Sequence, residues 1–287
     1  MKFPKLFWGI AIGVVATVLL LALVNLPEEP GKPKVAVIPI QGAIQPGSAY
    51  ASPSYVRSQI NKAEDENAAG FLFDINSPGG TVVGSKKIAE EIEKTDSPSV
   101  CLLQDVAASG AYWVTSSCDH VVSDPLTLTG SIGIRSSYLE YSEHMEEEGI
   151  EHVRLVKGEH KDMGSPYRNL TEREREMFID SLNKIYSYFL EDLKENRNLT
   201  EDEIENVSDG RTILGEEAKE IGLVDQLGGR EEAKEWLENQ TGKEIAFKEY
   251  ERKISFFDIF ELSEESKAES LAQSTWSKSA PFLATAK

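Results

Sequence analysis

Two apolar runs, each ending in a stretch of small residues, constrain this chain more than any other feature. The first, Gly70 to Ile75, closes in Asn76-Ser77-Pro78-Gly79-Gly80, and the second, Val100 to Leu103, leads to Ala107-Ala108-Ser109-Gly110-Ala111. Short apolar runs bounded by turn residues read as buried strands. Glycines where a strand ends leave backbone N–H groups uncovered by side chains, and such donors suit an oxyanion hole. Ser109 opens a segment of helical character, which sets its hydroxyl at the positive end of a helix, a nucleophile's position. Each stretch also has a plainer meaning: Pro-Gly pairs mark ordinary turns, and a serine can simply cap a helix.

The pattern around these runs is an alternation of strands and helices. Lys34 to Ile40 reads as a strand, Gly42 to Pro53 as a polar connection and Tyr55 to Glu64 as a helix. A helix from about Gly84 to Lys94, a strand at Val100, a helix from Ser109 and a short strand around Val121 follow. Such alternation predicts parallel pairing and an α/β fold, in which function gathers beyond the carboxyl ends of strands. Gly79, Gly80 and Ser109 fall there. Further on, Gly130-Ser131-Ile132-Gly133 reads as a turn, Tyr138 to Glu148 as a helix and His152 to Val156 as a strand. Thr171 caps a long amphipathic helix that runs to about Asn196. No internal repeat is visible, so the chain carries one copy of its catalytic unit.

The first residues differ in kind. Phe7 to Leu26 holds no charge, follows Lys2 and Lys5, and precedes Pro27, Glu28 and Glu29. Its length predicts an uncleaved membrane span rather than a signal peptide, and its flanking charges predict a cytoplasmic N-terminus with the remainder outside. The expected organisation is a cytoplasmic end at 1–6, an anchor at 7–26, a stalk at 27–33, a folded working domain at 34–249 and a tail at 250–287. The tail ends in small residues at alternate positions, which can enter a groove of the working domain and be trimmed, or simply trail from the body.

With 30 basic against 49 acidic residues the net charge is −19, which excludes electrostatic binding to nucleic acid or anionic lipid. Cys101 opens a strand and Cys118 closes the helix after Ser109, so the two are neighbours in a strand-turn-helix unit. A disulfide and a pair of buried thiols both fit. No zinc spacing is present, and no metal or cofactor is expected.

Lys161-Asp162 completes the set. A lysine serves as a general base only when desolvation or neighbouring donors lower its pKa. Lys161 lies 52 residues beyond Ser109, so the fold or a neighbouring subunit must bring them together; alone, a lysine in a polar loop is a surface charge. His160 offers a competing serine–histidine pairing without a third member, and Lys157 a second lysine.

From about Lys34 to Gln240 the chain resembles the signal peptide peptidase A family, membrane-anchored serine–lysine peptidases of the Clp protease and crotonase superfamily. The resemblance rests on the stretches at 76–80 and 105–110, Thr129-Gly130-Ser131-Ile132-Gly133, Lys161-Asp162 with Ser165-Pro166, and Gly210-Arg211 through Gly222-Leu223-Val224-Asp225. It implies a repeated ββα superhelix, with Ser109 as nucleophile and Lys161 as general base. It also implies Ser131 as the group that orients the lysine, and Gly79 or Gly80 together with Gly110 as oxyanion donors. Where many members have two glycines after the nucleophile, this chain has Gly110-Ala111. The implied substrates are cleaved signal peptides and other apolar peptides, and the implied assembly is a homo-octamer with sites shared between subunits. A related peptidase specific for a membrane partner protein, a crotonase-type lyase and a non-catalytic ring scaffold are the alternatives.

Overall fold

Alternate residues of the central strands face opposite sides of one sheet and bury on both. A computed structural model describes residues 31–250; the span expected at 7–26, the residues before it and nearly all of the tail lie outside the described residues. The sheet is built from β1 (Lys34–Gln41), β2 (Gly70–Ser77), β3 (Ser99–Ala108), β4 (His120–Ser123), β5 (Leu128–Gly130), β6 (Thr212–Leu214), β7 (Gln226–Leu227) and β8 (Ala246–Glu249). The helices are α1 (Pro53–Asp65), α2 (Val82–Glu93), α3 (Gly110–Ser116), α4 (Ser142–Glu147), α5 (Glu172–Arg197), α6 (Glu201–Val207), α7 (Gly215–Glu220) and α8 (Arg230–Thr241). The strand order is β6-β5-β3-β2-β1-β8, with β4 alongside β3 and β7 beyond β4.

The period of two divides the core. Ala36, Ile38, Ile40, Phe71, Phe73, Ile75, Cys101, Leu103 and Val121 pack in the larger cluster under α1, α2, α3 and α5. Val35, Val37, Leu72, Val100, Leu102 and Val122 pack in the smaller one with Ala233 and Leu237 of α8. Burial on both faces is why these strands read as continuous apolar runs rather than as alternating ones.

The parallel α/β expectation holds for β1, β2, β3, β4, β5, β7 and β8. The sheet is nevertheless mixed, because the edge strand β6 runs antiparallel to β5. Between β2 and β3 the register jumps, Ile75 facing Leu103 but Ser77 facing Ala107. The extra residues of β3 bend it, so that its first half pairs with β4 and its last three residues with β5. That bend steers Ser109 to the end of β2.

Cys101 and Cys118 are joined by a disulfide, which settles the choice left open by the sequence and staples the start of β3 to the residues after α3. Trp113 on α3 stacks on Phe189 of α5 at a centroid distance of 4.5 Å, and its indole N–H donates to Asp192 at 3.0 Å. The short helix behind Ser109 is thus held on two sides.

Two expected elements are not formed as read. The helix expected over Tyr138–Glu148 shrinks to Ser142–Glu147, none of whose residues is buried; four glutamates at 143, 146, 147 and 148 repel one another, and no packing extends the turn. The strand expected over His152–Val156 finds no ladder partner among the described residues. Its Val153 and Leu155 stay 67% and 89% exposed, since an apolar pattern becomes a strand only beside another edge.

Candidate active site

Backbone hydrogen bonds clamp the turn after β2 in place. Ile44 donates to the Gly79 carbonyl at 2.9 Å, and its own carbonyl accepts from the Thr81 N–H at 2.8 Å. The buried Ser77 hydroxyl accepts from the Gly79 N–H at 3.1 Å. The Gly79 donor is therefore occupied, while the Gly80 N–H has no acceptor among the described residues. Gly110, in the first turn of α3, likewise keeps an N–H with no acceptor, as helix geometry dictates.

Gly79, Gly80 and Gly110 are required by contact, and Gly79 by conformation as well. A Cβ on Gly79 would stand 2.6 Å from the Gly110 nitrogen, and Gly79 has φ +90°. One on Gly80 would lie 2.0 Å from the Ile44 carbonyl oxygen, and one on Gly110 would lie 2.2 Å from the Ser85 hydroxyl and 3.3 Å from the Gly80 nitrogen. The two free N–H groups thus belong to backbones packed against each other. Ser85, fully buried beneath them, has a hydroxyl with no hydrogen-bond partner.

Ser109 sits on the strand-to-helix turn with φ 57° and ψ −125°, a conformation that L-residues avoid. Its N–H donates to the Gly130 carbonyl at 2.8 Å, and its side chain makes no capping bond. The plain reading of Ser109 as a helix cap does not hold. Its hydroxyl is left for chemistry on a turn of the strained kind that presents nucleophiles. Ser131 is also held at positive φ, 51°, by donation of its N–H to the Arg211 carbonyl at 2.8 Å.

Gly79, Gly80, Ser109 and Ser131 line one cavity of about 910 Å³. Val82, Ile134, Ile179 and Leu182 give it an apolar wall, and Arg135 and Asp209 are its charged lining residues. Four of the sequence-expected groups therefore meet at one place, with Gly110 directly behind them. Lys161 does not line it. It is exposed in a turn in which its own N–H donates to the Gly158 carbonyl at 3.2 Å.

What fixes that turn is the residue beside it. Asp162 accepts from the Arg154 guanidinium at 2.7 and 2.8 Å and from that of Arg168 at 3.0 and 3.0 Å. These two cations hold its carboxyl far below the usual range. Arg168 also reaches Glu174 at 2.6 and 2.8 Å. Together with the Thr171 N–H, it lowers the Glu174 pKa from 4.5 to about 2. His160 lies 3.9 Å from Glu174, in this network and outside the cavity. Sequence reasoning missed the Ser77 hydroxyl, the arginine pair and Arg135. A cation so close after the Gly130–Gly133 turn was the available signal for Arg135.

Comparison with known proteins shows the family. Residues 91–244 match the model of peptidase family S49, and residues 34–143 match that of the NfeD1b N-terminal domain. A putative protease of Methanocaldococcus jannaschii is 34% identical over 64% of this chain and 60% of its own length. A putative signal peptide peptidase SppA of Enterococcus faecium is 34% identical over 64% of this chain and 54% of its own length. A putative protease of Synechocystis is 31% identical over 73% of this chain and 75% of its own. The chain thus spans little more than half the length of the first two. The fold is shared with a serine-to-alanine mutant of the 1510-N membrane-bound stomatin-specific protease, at a TM-score of 0.51 and 15% identity over 78% of this chain and 100% of the other. With its glycine turn, strained serine and the match over 91–244, this chain belongs to peptidase family S49.

Proposed function

We propose that this chain is a membrane-anchored serine endopeptidase that cuts apolar peptides such as spent signal peptides. The observation that carries the reading is Ser109, strained, with its hydroxyl unengaged, on a cavity where the Gly80 and Gly110 N–H groups stand free. Ser109 attacks the scissile carbonyl, and the two N–H groups bind the oxyanion that forms. Lys161 takes the serine proton and delivers it to the leaving amine, with Ser131 positioning it. The base comes from a neighbouring copy. In support, Lys161 is exposed within its own chain, and the arm that carries it exposes Tyr138, Leu139, Ile150, Val153, Leu155 and Tyr167. A monomer does not leave so long an apolar surface in water. A ring of such copies, an octamer on the family resemblance, covers the arm and desolvates the lysine in one step.

The anchor at 7–26, stalk at 27–33, peptidase domain at 34–249 and tail at 250–287 complete the proposed organisation. The domain works outside the membrane in an oxidising compartment, to which the Cys101–Cys118 disulfide is suited. The repeated ββα superhelix is the arrangement that the family resemblance implies for this mixed α/β domain. Membership in a peptidase family stands against the lyase and scaffold alternatives. A second reading is a peptidase restricted to one membrane partner protein.

Ser109→Ala and Lys161→Ala test the proposal. Each abolishes hydrolysis of apolar peptides, by at least about 10³-fold in kcat. Subunits of the two variants mixed and reassembled regain activity, because some sites then pair an intact serine with an intact lysine. Full activity in either variant ends the proposal, and no recovery on mixing ends the shared site. A library of unrelated apolar peptides separates broad cleavage from cleavage of a single partner.

A further inference from the structure

The cavity over Ser109 has an electrostatic character opposite to that of the chain. Its charged lining residues are Arg135 and Asp209. Asp209 is already engaged: Arg211 donates to it from Nη1 at 2.6 Å and from its backbone N–H at 3.0 Å, and these contacts lower its pKa. Arg135 is exposed and has no hydrogen bond or ion pair among the described residues. In a chain with 49 acidic residues against 30 basic, the unneutralised charge at the catalytic cavity is positive. The guanidinium cannot lose its proton, and its planar fork matches a carboxylate with two parallel hydrogen bonds. Val82, Ile134, Ile179 and Leu182 add apolar surface to the lining, beside the neutral polar Asn183, Tyr186 and Ser208, so the fork suits a ligand that is apolar in part and carries one anionic point.

We infer that Arg135 binds a carboxylate of the substrate and makes this a peptidase that prefers apolar peptides carrying a negative charge close to the bond to be cut. The inference rests on the peptidase reading above and adds a substrate class to it. Arg135 lies four residues after Ser131, so the two Cα atoms are at most about 14 Å apart. A peptide laid along this course places its carboxylate within about four residues of the scissile bond. The carboxylate is either the free α-carboxylate of a chain end or the side chain of an aspartate or glutamate. In the first case the substrate is itself the product of an earlier peptide-bond hydrolysis, which leaves such an end on a short apolar fragment and not on an intact protein.

Three versions of one apolar peptide serve as probes: a C-terminal acid, a C-terminal amide, and the amide with glutamate as its last residue. With the full-length protein, the acid or the glutamate amide is cut about tenfold faster in kcat/KM than the plain amide, as a charge-assisted hydrogen bond allows. Preference for the acid names the chain end as the source, and preference for the glutamate amide names the side chain. Arg135→Gln brings the preference to about one, and Arg135→Lys keeps part of it because the charge remains while the fork is lost. Wild-type protein that cuts all three alike overturns the inference, as does a preference that persists in Arg135→Gln. An equal loss on all three peptides in Arg135→Gln also overturns it, since that marks a role in assembly. Binding of the same labelled peptides to Ser109→Ala protein, with and without Arg135→Gln, gives the ratio without any cleavage. Should no peptide be hydrolysed, the peptidase reading fails, and the binding ratio still decides the role of Arg135.

Discussion

The turn that carries Gly79 and Gly80 and the arm that carries Lys161 represent opposite ways of placing a reactive group. The first is settled within the chain: backbone bonds to Ile44, the Ser77 hydroxyl and sub-contact distances around Gly79, Gly80 and Gly110 leave its atoms no alternative. The second is held only locally, by the Arg154–Asp162–Arg168–Glu174 network, while its apolar side chains face water. The turn is a finished part, and the arm, on the proposed assembly, is completed by another surface. Oxyanion donors must be rigid to act without reorganisation. On the proposed mechanism the lysine must lose its proton, and desolvation where subunits meet would lower its pKa.

The largest effect expected from this contrast is that of Gly80→Ala. Its new methyl would sit 2.0 Å from a backbone oxygen, which no side-chain rearrangement relieves. The variant loses at least about 10²-fold in kcat, and thermal melting shows a destabilisation of more than about 2 kcal/mol. Leu155→Asp should do the reverse. Leu155 is 89% exposed, so the melting of the isolated chain moves by no more than about 0.5 kcal/mol. Assembly, followed by sedimentation, is lost, and activity with it. A Leu155→Asp chain that assembles and cuts peptides normally would show that the arm has no partner surface.

How much of this was legible differs between the two regions for a physical reason. The strands at Lys34, Gly70 and Val100 and the helix from Glu172 to Arg197 follow from local patterns and capping that the fold merely confirms. The meeting of Gly80, Ser109 and Ser131 was foreseeable because each ends a strand or opens a turn at one edge of the sheet. The disulfide remained one of two choices, since spacing alone does not distinguish a bonded pair from two packed thiols. The arm misled the eye most. The pattern at His152–Val156 is that of a strand, but pairing is a property of two segments, and among the described residues no second segment lies beside it. Ser77 and Asp162 owe their roles to contacts that no spacing rule encodes.

Ser109 supplies a smaller and cleaner probe of the finished region. Its φ of 57° with ψ −125° is a conformation that glycine adopts freely, and such strain costs about 1–3 kcal/mol. Ser109→Gly therefore melts higher than Ser109→Ala by about 1–2 kcal/mol, with both inactive. Equal stability would mean that the turn relaxes and that the serine is not held under strain for its task.

The smallest effect lies in the arm and is read by acid. Folding lowers the Glu174 pKa from 4.5 to about 2, chiefly through Arg168, and lowers that of Asp162 as well, through Arg154 and then Arg168. A carboxylate that is a stronger acid when folded adds stability above its unfolded pKa and loses it as pH falls through the folded one. The Glu174 contribution is thus whole above about pH 4.5 and fades toward pH 2. Hydrogen exchange or limited proteolysis across that interval should open residues 154–174 ahead of the sheet, while Glu174→Gln loosens the same segment already at neutral pH and flattens its acid response. Simultaneous opening of arm and sheet would show that the arginine–carboxylate network is not what keeps Lys161 in its turn.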